Sequence, residues 1–197
     1  MFGRLGLLPL VKKLQFRDGH SSGPWFVPGI FDSQSLRYLS AFVNLQDLTV
    51  DNLDLSGFEV GLEKFFGHFS PTLQSLSLNC PRGPARRLLD FLGLFPKLDD
   101  IEIVSYRAAL EAQTAPDIPR ASIVGSLQGR LKLHSLIAEG LLGEIITASG
   151  GIRFIYMELG GVSETQLLLD ACAETLQTLR LHPNGKRFSK RTPWDLN

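Results

Sequence analysis

The five residues Gly19-His20-Ser21-Ser22-Gly23 fit G-x-S-x-G, the turn that exposes a nucleophilic serine at a strand end in α/β-hydrolases. Such a serine needs a strained strand-to-helix turn, with an acid and a histidine brought to it from elsewhere. Here Gly23, Pro24, Pro28 and Gly29 forbid a regular helix after the motif. It therefore reads as a Gly/Ser surface loop, and a small serine hydrolase using Ser21 is the alternative function. His20, His68, His134 and His182 show neither H-x-x-x-H spacing nor a cysteine partner, so no metal site is expected. Cys80, after a strand, and Cys172, on an apolar helix face, read as small buried hydrophobes. No phosphate-cradling glycine loop follows a strand, and no cofactor is expected.

The elements that would position any site repeat along the chain. An L-x-x-L-x-L pattern of apolar residues occurs at Val11/Leu14/Phe16, Leu45/Leu48/Val50, Leu73/Leu76/Leu78, Leu98/Ile101/Ile103, Leu127/Leu131/Leu133, Ile152/Ile155/Met157 and Leu176/Leu179/Leu181. The fifth carries one extra residue, and the motifs recur at intervals of about 24–34 residues, the period of leucine-rich repeats. Between them the apolar period changes to that of a helix: Leu62, Phe65, Phe66 and Phe69; Ala85, Leu88, Leu89, Leu92 and Phe95, ended by Pro96; and shorter sets at Leu36, Leu39, Phe42 and at Leu142, Ile145, Ile146. Ser163 and Gln166 make a capping-box pattern ahead of Leu168, Cys172 and Leu176.

Strands joined by helical crossovers pair in parallel with right-handed connections. The expected fold is thus α/β: a right-handed leucine-rich-repeat solenoid, with a curved parallel sheet on the concave side and helices on the convex side. Residues 1–183 would form about seven units with insertions at 17–33 and 105–126, and 184–197 a polar, basic tail. Trp25 and Phe26, in the first insertion, are expected to cover apolar surface near one end of the stack. Lys186, Arg187, Lys190 and Arg191 read as a solvated run.

Composition narrows the function further. Twenty basic residues balance 20 acidic ones, which disfavours nucleic acid as the main ligand. No apolar run is long enough for a bilayer span, and the interrupted run Leu5 to Val11 makes a poor secretory signal. With two cysteines and no disulfide framework, an intracellular setting, cytoplasm or nucleus, is expected.

Strand alternation sorts each motif. If the last two apolar residues point inward, the residues before, between and after them line the concave face. That face reads Lys13, Gln15, Arg17; Asp47, Thr49, Asp51; Ser75, Ser77, Asn79; Asp100, Glu102, Val104; Arg130, Lys132, His134; Phe154, Tyr156, Glu158; Thr178, Arg180, His182. Asp100 should face Arg130 and Glu102 should face Lys132, with Arg130 and Lys132 meeting Phe154 and Tyr156 in cation–π contact. Either these charges simply compensate one another across the ladder, or Asp100, Glu102, Arg130, Lys132, His134, Phe154, Tyr156, Glu158 and Arg180 form a binding patch, aromatic residues and arginine being enriched at protein interfaces.

The phrasing of the units, as in FVNLQDLTV (Phe42–Val50), HFSPTLQSLSL (His68–Leu78), FLGLFPKLDDIEI (Phe91–Ile103), GRLKL (Gly129–Leu133) and LLLDACAETLQTLRLHP (Leu167–Pro183), resembles the leucine-rich-repeat region of fungal F-box-like proteins. The resemblance spans roughly Pro9 to Pro183. It implies a non-enzymatic module that recognises substrate proteins for a ubiquitin ligase, with no catalytic residue. The family's F-box, which binds the adaptor of a cullin ligase, is not found in this sequence, so that partner would require an F-box outside it. The chain is expected either to be a piece of a longer product or a degenerate, non-functional copy, or to use its insertion and tail as caps.

Overall fold

Short β-branched and leucine-rich runs with strict alternation, such as DLTVD, SLSLN and DIEIV, form strands because one side of each can be buried and the other left to water. A computed structural model describes residues 10–16, 42–55, 66–68, 71–108, 127–134, 143, 146, 152–160 and 165–182. In order the elements are β1 (Lys13–Phe16), β2 (Asp47–Asp51), β3 (Ser75–Asn79), β4 (Arg82–Gly83), α1 (Ala85–Gly93), β5 (Asp100–Val104), β6 (Arg107–Ala108), β7 (Leu127–His134), β8 (Ile152–Gly160), α2 (Thr165–Ala171) and β9 (Thr178–His182). Seven strands make one parallel sheet in the order β1-β2-β3-β5-β7-β8-β9, so neighbours in the sheet follow the chain.

Corresponding residues align from strand to strand, with one shift, in the β7–β8 pairing at Gly129/Arg130. Leu14, Leu48, Leu76, Ile101, Leu131, Met157 and Leu179 form one row, and Phe16, Val50, Leu78, Ile103, Leu133, Leu159 and Leu181 the next. From Leu48 to Leu159 these side chains are buried in one continuous core. Burying each such residue contributes on the order of 1.5–3 kcal/mol. Leu179 and Leu181 depart from the expected burial: they keep the register but are 38% and 56% exposed. Among the described residues their strand is the sheet's last and has a neighbour on one side only.

The sixth unit corrects the motif reading. Ile155, expected inside, is 46% exposed, while Phe154, expected on the polar face, is fully buried. The register between β7 and β8 shifts at Gly129/Arg130, with Gly129 opposite Phe154 and Arg130 opposite Tyr156. The buried triplet is thus Phe154, Met157 and Leu159, which also fits L-x-x-L-x-L. Phenylalanine buries more apolar area than isoleucine. Gly129 permits the bulge, its φ being +87° and any Cβ falling 2.1 Å from the Asp99 carbonyl oxygen.

A second, shorter ladder follows the main strands. β4 pairs with β6 in parallel, Arg82 opposite Arg107 and Gly83 opposite Ala108, and Asp54 bridges to Arg82. The chain reaches this ladder through a corner: Asn52, Cys80 and Ser105, each just past its strand, have φ of 56°, 52° and 56°. Their N–H groups donate to the carbonyls of Asn79, Val104 and His134, each at 2.7 Å. Cys80 is therefore a half-buried corner residue, unlike the buried hydrophobe expected, whereas Cys172 is buried. Beyond the corner, Leu53 and Tyr106 are fully buried, and the Tyr106 hydroxyl donates to the Gly83 carbonyl at 2.6 Å.

α1 follows the expected face, burying Leu88, Leu89 and Leu92 and also Phe91, and ends ahead of Pro96. Phe91 meets Phe66 edge-on at 4.9 Å and Phe95 at 5.3 Å, so successive helical segments pack on one another. In α2, Leu168 is buried with Cys172 beyond it, and the Gln166 amide donates to Asp170 Oδ1 at 2.6 Å. Ser163, Gly19–Gly23, the insertion at 17–33, residues 109–126, the tail and most of the other helical sets lie outside the described residues. No helix among the described residues is long and apolar enough to cross a membrane.

Candidate binding surface

The other side of the main sheet carries three rows set by the same register. The first is Lys13, Asp47, Ser75, Asp100, Arg130, Tyr156 and Thr178, and the second Gln15, Thr49, Ser77, Glu102, Lys132, Glu158 and Arg180. The third is Asp51, Asn79, Val104, His134, Gly160 and His182. Asp100 faces Arg130 and Glu102 faces Lys132, as the alternation predicts. In the sixth unit the row positions fall to Tyr156, Glu158 and Gly160, so Phe154 leaves the patch for the core and Gly160 enters it.

Hydrogen bonds tie the rows together across strands. Asn79 Nδ2 donates to Asp51 Oδ1 at 2.7 Å, and the Ser77 hydroxyl donates to Glu102 Oε2 at 3.1 Å. Arg130 pairs with Asp100 at 2.8 Å. Exposed pairs of this kind contribute about 0–1 kcal/mol, so they order the surface more than they hold the fold. Lys132 makes no ion pair among the described residues, although it lies between Glu102 and Glu158 in register.

The densest cluster surrounds Glu158. The Tyr156 hydroxyl donates to its Oε2 at 2.8 Å, and His182 Nε2 lies 2.9 Å from its Oε1. Burial opposes ionisation of Glu158, but the hydrogen bonds from Tyr156 and His182 outweigh it and hold the pKa below the ordinary glutamate value. Burial and the bond to Glu158 push the Tyr156 phenol upward. Arg180 lies over the Tyr156 ring at 5.6 Å, so the cation–π contact falls to Arg180 and not to the expected Arg130 or Lys132.

Gly160 separates two histidines. The His134 and His182 rings lie 6.1 Å apart, and a Cβ on Gly160 would meet His134 Nδ1 at 3.2 Å. Burial holds the His134 pKa below the usual histidine value, against the opposing pull of Glu158 and Glu102. The two histidines occupy matching positions of the fifth and seventh units, as the alternation predicts, and the strand register brings them together across β8. A glycine inside a strand is the one local signal of such close approach. Among the described residues no three histidine, cysteine or acidic side chains are arranged to hold a metal ion. No family model, no curated protein and no solved structure matches this chain.

Proposed function

We propose that the chain is a non-enzymatic protein-binding module, a leucine-rich-repeat solenoid whose main sheet is the concave wall and whose β5 to β9 surface receives a partner. The observation that carries this reading is the sorting of seven parallel strands, in chain order, into an apolar face and a polar face. The second ladder supports a coil, since three successive units turn at the same left-handed corner and pair again beyond it. Ordered charges and an aromatic ring on a wide strand surface suit recognition of another protein.

The role closest to this arrangement is substrate recognition of the kind performed by F-box ubiquitin-ligase receptors, in the cytoplasm or nucleus. The repeat phrasing supports that role, and a cullin-ligase adaptor would be engaged only through an F-box outside this chain. The test is quantitative affinity purification from the source cell with wild type and the Arg130→Glu/Lys132→Glu variant. A partner recovered with wild type and lost with a variant of unchanged melting temperature is expected. Equal recovery by both proteins refutes the surface assignment.

A further inference from the structure

We infer that the open edge of β9 is closed by residues 186–190 of this same chain, folded back as an antiparallel strand across an Asn184-Gly185 turn. The inference goes beyond the protein-binding reading and holds whatever the polar face binds.

The edge lacks a partner in two respects among the described residues. Leu179 and Leu181 continue the two core rows yet stay open to water, Leu181 the more so. The backbone is open as well. In β2, β3, β5 and β7 the polar-row residue (Asp47, Ser75, Asp100 or Arg130) sends its N–H back to a carbonyl ahead of the preceding strand, that of Lys12, Gln46, Gln74 or Asp99. Hydrogen-bonding groups alternate in direction along a strand, so the apolar rows send theirs forward. In β9 the forward groups belong to Leu179 and Leu181, on the side with no described neighbour. Such an edge is a template for another strand.

The sequence after β9 supplies one. It reads His182-Pro183-Asn184-Gly185-Lys186-Arg187-Phe188-Ser189-Lys190. Asn-Gly next to an alternating run is the strongest short-range sign of a two-residue hairpin, whose type I′ turn needs positive φ at both residues. Pro183 and Lys186 then close the turn through a bond from the Lys186 N–H to the Pro183 carbonyl, which needs no N–H from proline. Counting outward from that pair, Leu181 meets Phe188 and Leu179 meets Lys190 as hydrogen-bonded pairs. Those two leucines are the residues whose amide groups face the open edge. Side chains match too. Phe188 lands opposite Leu181 on the core face, and the Lys190 stem lies along Leu179 with its ammonium in water. A loop one residue longer or shorter would carry Phe188 to the polar face.

A second copy of β9 is the poorer occupant. Setting Leu179 of one strand opposite Leu181 of the other places the two Arg180 side chains directly opposite each other, and like charges there destabilise. An inward-pointing Lys190 also discourages a further strand from adding. On the polar face the hairpin sets Arg187 beside His182 and Ser189 beside Arg180.

The test is residue-resolved amide hydrogen exchange by NMR on the full-length protein, at a low and a high concentration. Leu179, Leu181, Phe188 and Lys190 should exchange about tenfold or more slowly than Arg187 and Ser189, whose N–H groups the hairpin turns to water, at both concentrations. Gly185→Val bars the turn and should bring Phe188 and Lys190 to the rates of Arg187 and Ser189, while Arg180 and His182 stay protected by β8. Free-chain exchange at Leu179 and Leu181 overturns the inference, as does an unchanged pattern in Gly185→Val. Protection of the leucines without Phe188 and Lys190 also overturns it, since another occupant then holds the edge; protection that grows with concentration identifies that occupant as a second copy. Crosslinking checks the register. Arg180→Cys/Ser189→Cys should form an intramolecular disulfide, the Cα atoms of such a non-hydrogen-bonded pair lying about 4.5 Å apart. Arg180→Cys/Arg191→Cys, two residues out of step, should not, and equal yields from the two proteins overturn the pairing.

Discussion

Replacing Gly129 by alanine tests how closely β5 and β7 approach. The residue has φ of +87°, which an L-residue adopts only at a cost of about 1–2 kcal/mol. Its new Cβ would also fall 2.1 Å from the Asp99 carbonyl oxygen and 2.8 Å from the carbonyl carbon. That oxygen accepts the Arg130 N–H at 2.7 Å, so it cannot retreat without opening the start of the ladder. Overpacking against backbone adds about 1–3 kcal/mol. Gly129→Ala should therefore lose about 2–5 kcal/mol in urea unfolding followed by circular dichroism, the two costs acting together. Gly67→Ala is the control, since no atom lies within 4 Å of its added Cβ and its backbone is unstrained; stability should hold or rise by about 0.5–1 kcal/mol. A Gly129→Ala protein within about 1 kcal/mol of wild type would refute the bulge, and with it the register that places Tyr156 opposite Arg130.

Phe154→Ala should cost about 3–5 kcal/mol by urea melting, and Ile155→Thr should change stability by less than about 0.5 kcal/mol; the reverse order would restore the register expected from sequence. Tyr106→Phe leaves the buried Gly83 carbonyl without its donor and should cost about 1–2 kcal/mol in the same assay. Acid should weaken the fold in two stages, followed by thermal melts from about pH 8 to about pH 3. As pH falls below 6.5 the unfolded chain takes a proton at His134 that the folded chain resists, so stability drops and His134→Gln should flatten this stage. Below 4.5 the unfolded chain protonates Glu158 first, and the stability this group contributes is lost as pH falls through its lowered folded value. A melting temperature that rises on acidification would contradict both signs.

How much of this was legible in the sequence depends on the length scale of the signal. Strand alternation is local, so the rows through Leu48, Leu76, Ile101 and Leu131, and the facing of Asp100 and Arg130, follow from the residues alone. In the sixth unit two overlapping triplets fit the same pattern, and only competition for core volume decides for Phe154 over Ile155. The isolated Gly129 was the available sign of a bulge there. The left-handed corner shows in sequence only at Asn52, a residue suited to positive φ; Cys80 and Ser105 adopt it because the ladder requires it. For the same reason the second ladder, with Tyr106 beneath it, left no periodic trace. Alternation already sets His134, Glu158 and His182 at matching positions of successive units; the shift in the sixth unit puts Gly160 between the histidines and moves Glu158 to the row beside them.

The backbone joints at each strand's two ends have a wider consequence. Before β2, β3 and β5 one carbonyl (Lys12, Gln46 or Gln74) accepts two consecutive N–H groups of the next unit, and after them comes the corner. Alignment is thus written into the flanks of each strand and the short ladder just beyond the corner, and the chain from there to the next flank is left to vary in length. That connecting length is free to drift, which is why spans of unequal size mesh on one grid. Excising 75–99 would join Gln74 to Asp100 and leave every remaining row in step, so this architecture is shortened or lengthened a whole tread at a time, like a staircase.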